Sequence, residues 1–566
     1  MSDNKKPLSI HHSCELDESK VIEYHTALYV AKDGIDKDCS AADAVQGGSF
    51  DDAGADGICV ASKDPAFSAV LVDGGTYTLK NAKLSMITEG NGSEVCDFVG
   101  LGAAVGAFNG AHVEIENCDI ATEGVAKCTV FVDEGSDVVV KDSHLSALGG
   151  KVYDGYVSCA DFNKMVTPPW VLGITGNARG TNLMGDKAAT VFVNTDVKVA
   201  NWGVLSTDNG EGNILAVIDS TLTVVGSEID KKDPYHKTWG SGYGTYILGC
   251  DEDFRGVKMN VGTYIGIARE GNAVYRSSKG HIRVTSPTTG EILYEGEGKG
   301  QVSELNSDAF GIMAHDFSEL TLTDGTVLNT ENAAFLMRSG GVKIHVTDGA
   351  KLSVKDGILL QIIDDDDKSV GVDWNSPIIM EFNKDFYEKE GWPSENGQIT
   401  SQMPPPAPED IPPLPPDFEM LPEPQFDVRF DAENVLLNGS LYNGSGYYGQ
   451  QAKQLYVTLG RGAVLNGAIS ATETIHVDEN GKQNTHFTCD QYYYLGHVAN
   501  RPFYNGDNTV EVVLEAGSVW NVTDRGIVTA LTVQEGATLV GKATVDGAEL
   551  IPEPGKTYTG EIVVSY

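Results

Sequence analysis

Leu320-Thr-Leu-Thr-Asp-Gly-Thr-Val-Leu-Asn329 and Ile344-His-Val-Thr-Asp-Gly-Ala-Lys-Leu-Ser353 carry one pattern twice, 24 residues apart. In each, an alternation of apolar and polar residues reaches Thr-Asp-Gly and then resumes. Period-two alternation marks a half-buried strand, and the Asp-Gly step marks a turn of left-handed or Asx geometry. The same form starts at Val113 (V-E-I-E-N-C-D-I-A-T), Val138, Val191 and Leu215, with Asn or Asp at the step. No helical period lies between the copies. A meander would need a hairpin at every step, whereas here the same faces return with each copy. Stacked repeats bury a continuous core that no single repeat could bury alone. The expected fold is therefore all-β, a right-handed parallel β-helix solenoid with Val, Ile and Leu inward and Asn, Ser or Thr ladders at the corners.

Along the chain this gives an N-terminal cap and first strands over 1–60, then coils with loop insertions over 61–402. The proline-rich, acidic stretch 403–424 (Pro404 to Pro406 through Pro422 and Pro424) is incompatible with strand ladders and reads as an extended excursion. Coils resume over 425–566, interrupted by an aromatic insert at 486–504 that reads as a loop packed on the wall or covering a substrate.

Composition narrows the function. The formal net charge of −41 argues against nucleic acid, whose phosphates demand basic patches. No stretch approaches the roughly 18 apolar residues of a membrane span. The polar N-terminus lacks the apolar core of a secretory signal, so the expectation is a cytoplasmic protein, or a secreted one if the N-terminus was trimmed. Nine cysteines without a CxxC pair read as reduced structural thiols, with Cys118 and Cys128 inside strand-like runs. The acidic run Asp364 to Asp367 reads as a solvated turn, and neither a metal nor a cofactor is expected.

The stretch from Leu514 to Val540 (L-E-A-G-S-V-W-N-V-T-D-R-G-I-V-T-A-L-T-V-Q-E-G-A-T-L-V) resembles the terminal coils of autotransporter and adhesin-like passenger β-helices. The whole chain is similar in organisation to the pectate-lyase-like superfamily. That resemblance implies carbohydrate lyase, hydrolase or epimerase chemistry, and it assigns no residue.

A compact apolar strand ending in a polar residue recurs once per coil. It reads T-V-F-V-D to Asp133, G-V-L-S-T to Thr207, Y-I-L-G-C to Cys250 and N-A-V-Y-R to Arg276. It continues as G-I-M-A-H to His315, A-F-L-M-R to Arg338 and G-I-L-L-Q to Gln361. Equivalent positions of neighbouring coils stack about 4.8 Å apart, so Arg276, His315, Arg338 and Gln361 are expected to form a column, flanked by Asp208, Asp251 and Asp316. Guanidinium forks suit an anionic ligand, and an imidazole beside a carboxylate suits proton transfer. The column reads either as surface ion pairs between its arginines and Asp208, Asp251, Asp316 or other carboxylates, or as a site whose catalytic residues are His315, Asp316, Asp208, Asp251, Arg276 and Arg338. Trp202, His236, Trp239, Tyr243, Tyr275, Gln361, Tyr492 and His497 are the expected binding residues, several of them on long insertions where binding groups usually sit. The partner is a small-molecule or saccharide substrate, and the oligomeric state is left open. Two other readings stay open: an adhesin-like surface protein, and a carbohydrate-binding module without turnover.

Overall fold

The computed structural model describes residues 8–14, 22–87, 96–150, 178–226, 242–314, 316–338, 340–364, 378–380, 394–395, 398–399, 427–446, 452–478, 480–487 and 494–566. These residues form an all-β molecule of long parallel strand stacks, and the chain visits three sheets in a repeating order. One circuit runs Val105–Phe108, His112–Glu116, Asp119–Glu123, and the next begins at Val130–Val132 beside Val105–Phe108. His112–Glu116 pairs in parallel with Asp137–Lys141 in the second sheet, and Asp119–Glu123 with His144–Leu148 in the third. The first sheet passes from Thr181–Leu183 to Trp202–Ser206 through the bridges Arg179 to Gly203 and Leu183 to Thr207. This repeating course is compatible with the expected solenoid. Among the described residues no helix is long and apolar enough to cross a membrane.

The copies of the repeat at Leu320 and Ile344 lie side by side. Glu319–Leu322 pairs with Val342–Thr347, Leu320 opposite Ile344, and both are fully buried. Val342–Thr347 then pairs with Val428–Glu433, so the second sheet continues across the proline-rich segment, which lies outside the described residues. At the far end Thr557–Ser565 runs antiparallel to Gly526–Val533 and Lys542–Val545, pairing an edge that would otherwise offer free backbone groups.

The corner between the second and third sheets explains the Asn/Asp step. Asn81, Asn117, Asp142, Asn194 and Asp219 all have φ between 49° and 53°. This left-handed region is one that Asn and Asp tolerate better than other side chains. The corner amides also bond from rung to rung: Asn117 Nδ2 donates to Asn81 Oδ1 at 2.6 Å, and Asn81 Nδ2 to Asp56 Oδ1 at 2.7 Å. One residue on, Ser143 Oγ accepts the Cys118 N–H at 3.0 Å and Ser220 Oγ accepts the Thr195 N–H at 3.0 Å. Cys118 holds a place in this hydroxyl ladder, its sulfur accepting the Ala82 N–H at 3.4 Å. Cys118 and Cys128 are buried within the fold, as expected of structural thiols.

A hairpin, His281–Thr285 and Ile292–Glu297, folds back over the outside of the second sheet. Ile282, Val284 and Leu293 cover the outward apolar residues Val139, Val191, Ala216 and Ile218. A run of outward Val and Ile on one face is thus buried on both sides.

Inside the stack, an acid stands among the apolar residues. Glu252 is buried, both its carboxyl oxygens lie within 2.9 Å of Thr245 Oγ1, and burial pushes its pKa well above the usual carboxylate range. Its neighbour on the next rung is Ala273, and beside it Tyr275 stacks its ring on Phe254 at 4.8 Å.

Two outcomes follow. Asn117→Val should lower stability by about 1–2 kcal/mol more than Asn117→Gly, because a β-branched residue resists positive φ; urea midpoints of the two variants test this. Glu252 is protonated in the folded chain at pH values where the unfolded chain has ionised. Its contribution is therefore complete below the ordinary carboxylate pKa and is lost as pH rises toward the folded value. Glu252→Gln should gain melting temperature relative to the unmodified chain as pH rises above the ordinary carboxylate range; a constant difference would contradict the buried neutral acid.

Candidate functional site

The outer wall of the first sheet is covered rather than open. Tyr243, Tyr264 and Phe310 occupy matching outward positions on successive rungs, and all three are buried. Tyr264 stacks on Phe310 with ring centres 5.6 Å apart. Gly203 fills the rung before Tyr243 because a Cβ there would stand 2.5 Å from the tyrosine ring, which lies across the glycine. Ile378, Phe487 and Leu495 join these residues in one apolar cluster. His497 meets Phe310 edge-on at 5.3 Å, and burial pushes its pKa down to about 4. A Cβ on the preceding Gly496 would come within 2.5 Å of Phe310, so the backbone there lies flat on the wall. The described end of the aromatic insert is thus packed on the sheet.

One end of this wall holds a buried polar knot. Arg179 Nη1 lies 2.8 Å from Asp208 Oδ2, and it donates to Ser206 Oγ at 2.6 Å and to Tyr243 Oη at 3.0 Å. Trp202 Nε1 donates to the same phenol oxygen at 3.1 Å, and the guanidinium carbon sits 5.3 Å from the Trp202 ring centre. Two effects oppose each other at Asp208. Burial raises its pKa; Arg179 and Asn182 lower it; burial wins. Nearby, burial pushes Tyr246 up to about 12 against the lowering effect of Arg269.

The expected column is corrected by the strand register. Asn272–Arg276 belongs to the second sheet, where Arg276 lies beside Arg255 and donates to Asp253 at 2.9 and 2.7 Å. The strand of that circuit on the first sheet is Tyr264–Arg269. Ala268, Ala314 and Met337 align, so the following residues Arg269 and Arg338 share a level. Gln361 aligns with Leu336 and not with Arg338, and it exchanges hydrogen bonds with Asn500 at 2.6 and 3.2 Å. Asp251 is exposed on the second sheet and accepts from Asn272 at 2.8 Å. Tyr275, expected at a binding surface, is a core residue. Asp316 lies 3.8 Å from Arg269 Nε, and Arg338 is fully buried. His315, His236, Trp239 and Tyr492 lie outside the described residues, as do Asp365 to Asp367.

The structure therefore brings Trp202, Tyr243 and Asp208 into one knot and sets Arg269, Asp316 and Arg338 along the same wall. The sequence pattern did not single out Arg179 or Arg269. Y-I-G-I-A-R at 264–269 has the compact-strand form, and counting circuits from it would have found Arg269; Arg179 carries no repeat signal.

Where the first sheet turns into the second, an open cleft of about 900 Å³ runs past the ends of these strands. Arg269, about half-exposed, lines it together with Asp186, Glu211, Asp251, Glu270 and Asn272. The chain matches no protein-family model and no curated protein. Function must therefore be read from this wall and its cleft.

Removing one partner of a buried pair strands the other charge. Asp208→Ala should cost about 3–5 kcal/mol, and the double change Arg179→Met, Asp208→Leu should recover most of the loss. Denaturant melts of the three proteins check this; a double variant no better than the single would mean that the knot does more than neutralise itself.

Proposed function

We propose that the chain is a right-handed parallel β-helix that binds a hydroxyl-rich saccharide, carrying few anionic groups, in the cleft between its first two sheets and acts on it. Handedness follows from the rule that parallel strands joined by a crossover connect right-handedly. One observation carries the ligand: Arg269 is the sole cation among the described residues lining a cleft that also holds Asp186, Glu211, Asp251 and Glu270. A polyanion would be repelled by that set, whereas sugar hydroxyls donate to carboxylates, and a single sugar carboxylate or sulfate can sit on the Arg269 fork. Asp251, which lines the cleft, and Asp316, 3.8 Å from Arg269 Nε, are the proton-transfer groups of this reading, since glycosidic cleavage uses one carboxyl as acid and another as base. Lyase, hydrolase and epimerase chemistry all fit these groups.

A binding protein without turnover is the second reading. It is favoured by Asp208 and Arg276, two expected catalytic residues that are each held in an internal ion pair. One experiment separates the two. Oligosaccharides, neutral and uronate-containing, are incubated with the protein, and reducing ends, unsaturated products and binding heat are followed. The enzyme reading expects turnover that falls at least about a hundredfold in Asp316→Asn or Asp251→Asn, with Arg269→Ala weakening binding of the uronate series. Binding heat without product favours the second reading, and neither heat nor product with any oligosaccharide overturns both.

A further inference from the structure

The rung beyond the cleft carries a bulky residue in a conformation that bulky residues avoid. Phe317 has φ 36°, in the left-handed region where a Cβ crowds the backbone and which Asn and Asp tolerate better than other side chains. Elsewhere among the described residues that region is held mostly by glycine, Asn and Asp. The other aromatic residue there, Trp202, is locked in the buried knot. Phe317 instead keeps 44% of its surface exposed, so burial alone does not account for its place. Its backbone is fixed from both sides. Glu270 N–H donates to Asp316 O at 2.8 Å, Phe317 N–H to Gly340 O at 3.2 Å, and Lys343 N–H to Ser318 O at 2.8 Å. Ser318 Oγ also donates to Asp316 O, at 2.8 Å. The ring rests against Gly341, where a Cβ would stand 2.5 Å from its Cδ1 and 2.8 Å from its Cε1. Strain of this kind persists only where the surroundings over-determine it, and it gathers at sites that hold ligands.

The position of this ring relates it to the cleft. Ala268 pairs with Ala314 and Asn272 with Glu319, so Phe317 lies one rung beyond the stretch Arg269 to Asn272 that lines the cleft. Its chain neighbour Asp316 is 3.8 Å from Arg269 Nε. We propose that Phe317 is a stacking platform for the sugar unit next to the one seated on Arg269, so that the ligand is an oligosaccharide carrying a uronate rather than a single sugar. This rests on the reading of the cleft as a saccharide site. The face of an aromatic ring carries the negative part of its quadrupole and attracts C–H bonds. A pyranose presents such bonds on a flat face, and they ask for no hydrogen-bond partner. A rung spacing of about 4.8 Å is close to the length of one pyranose unit. A uronate whose carboxylate sits on the Arg269 fork therefore brings the next sugar to Phe317.

Titration calorimetry on the full chain tests it, with glucuronate, galacturonate and two disaccharides that each carry one of them, cellobiouronate and galacturonosyl-rhamnose. In at least one pair the disaccharide should bind at least about fivefold more tightly than its monosaccharide. Phe317→Asn removes the ring and suits the left-handed corner. It should abolish that gain, leave the monosaccharide constant unchanged and melt no lower than the unmodified chain, while Phe317→Tyr should keep the gain. Equal binding of both members in each pair, or a gain that survives in Phe317→Asn, overturns the platform and leaves the cleft reading standing. If none of the four binds, the uronate seat on Arg269 falls and the platform with it. A gain lost in Phe317→Asn together with a melting temperature several degrees lower, and not restored in Phe317→Tyr, assigns the ring to the fold and also overturns the proposal.

Discussion

Everything in this molecule depends on parallel rungs, whose backbone hydrogen bonds force equivalent side chains to stand about 4.8 Å apart. That spacing selects what can stack. Amides do so by donating to one another, as at Asn81 and Asn117 or at Asn306 and Asn329. Aromatic rings do so face to face, as with Tyr264 and Phe310 outside and Phe254 and Tyr275 inside. Like charges cannot, and where the chain places Arg255 and Arg276 on neighbouring rungs, both pair with Asp253.

The same constraint gives each wall its own character. The second sheet carries charged residues along its exposed parts, and where it turns apolar a hairpin covers it. The first sheet has an aromatic outer wall that other segments bury, with the Arg179–Asp208 knot at one end. A desolvated ion pair of this kind contributes little net stability but is costly to break, so it fixes how the Trp202 and Tyr243 side chains lie. The third sheet carries two hydrogen-bonded amide ladders on its outer face, Asn260–Asn306–Asn329 and Asn438–Asn466–Asn521. A single repeat thus supports three surfaces with different chemistry.

Much of the fold was legible because the repeat is written in residues with one physical purpose. Asn or Asp at the step marks a left-handed corner, and alternation on either side marks two strands on different sheets. The site was less legible, for a reason visible at Arg276. A-V-Y-R and I-A-R both look like a compact strand ending in arginine, and period-two patterns do not say which sheet a strand joins. The hairpin at 281–297 lengthens that circuit and hides the count that would have separated them. Glu252 escaped notice for a related reason: in D-E-D-F, alternation alone does not reveal that an acid faces inward. Arg179 precedes its strand in a segment without a repeat, and only the fold brings it to Asp208.

The central claim is the register, since the chemistry of each of the three walls follows from which residues share a rung. Its most direct measurement is a disulfide test with mass-spectrometric mapping. Cysteines placed at Arg255 and Arg276, adjacent rungs of the second sheet, should stand about 4.8 Å apart, inside the roughly 4.4–6.8 Å window for a disulfide. Mild oxidation should join them within one chain. If the cysteine at 276 instead joins one placed at Asp316, just past the first-sheet strand Phe310–Ala314, the strand belongs to the first sheet, and the register that sorts these side chains onto three walls is wrong.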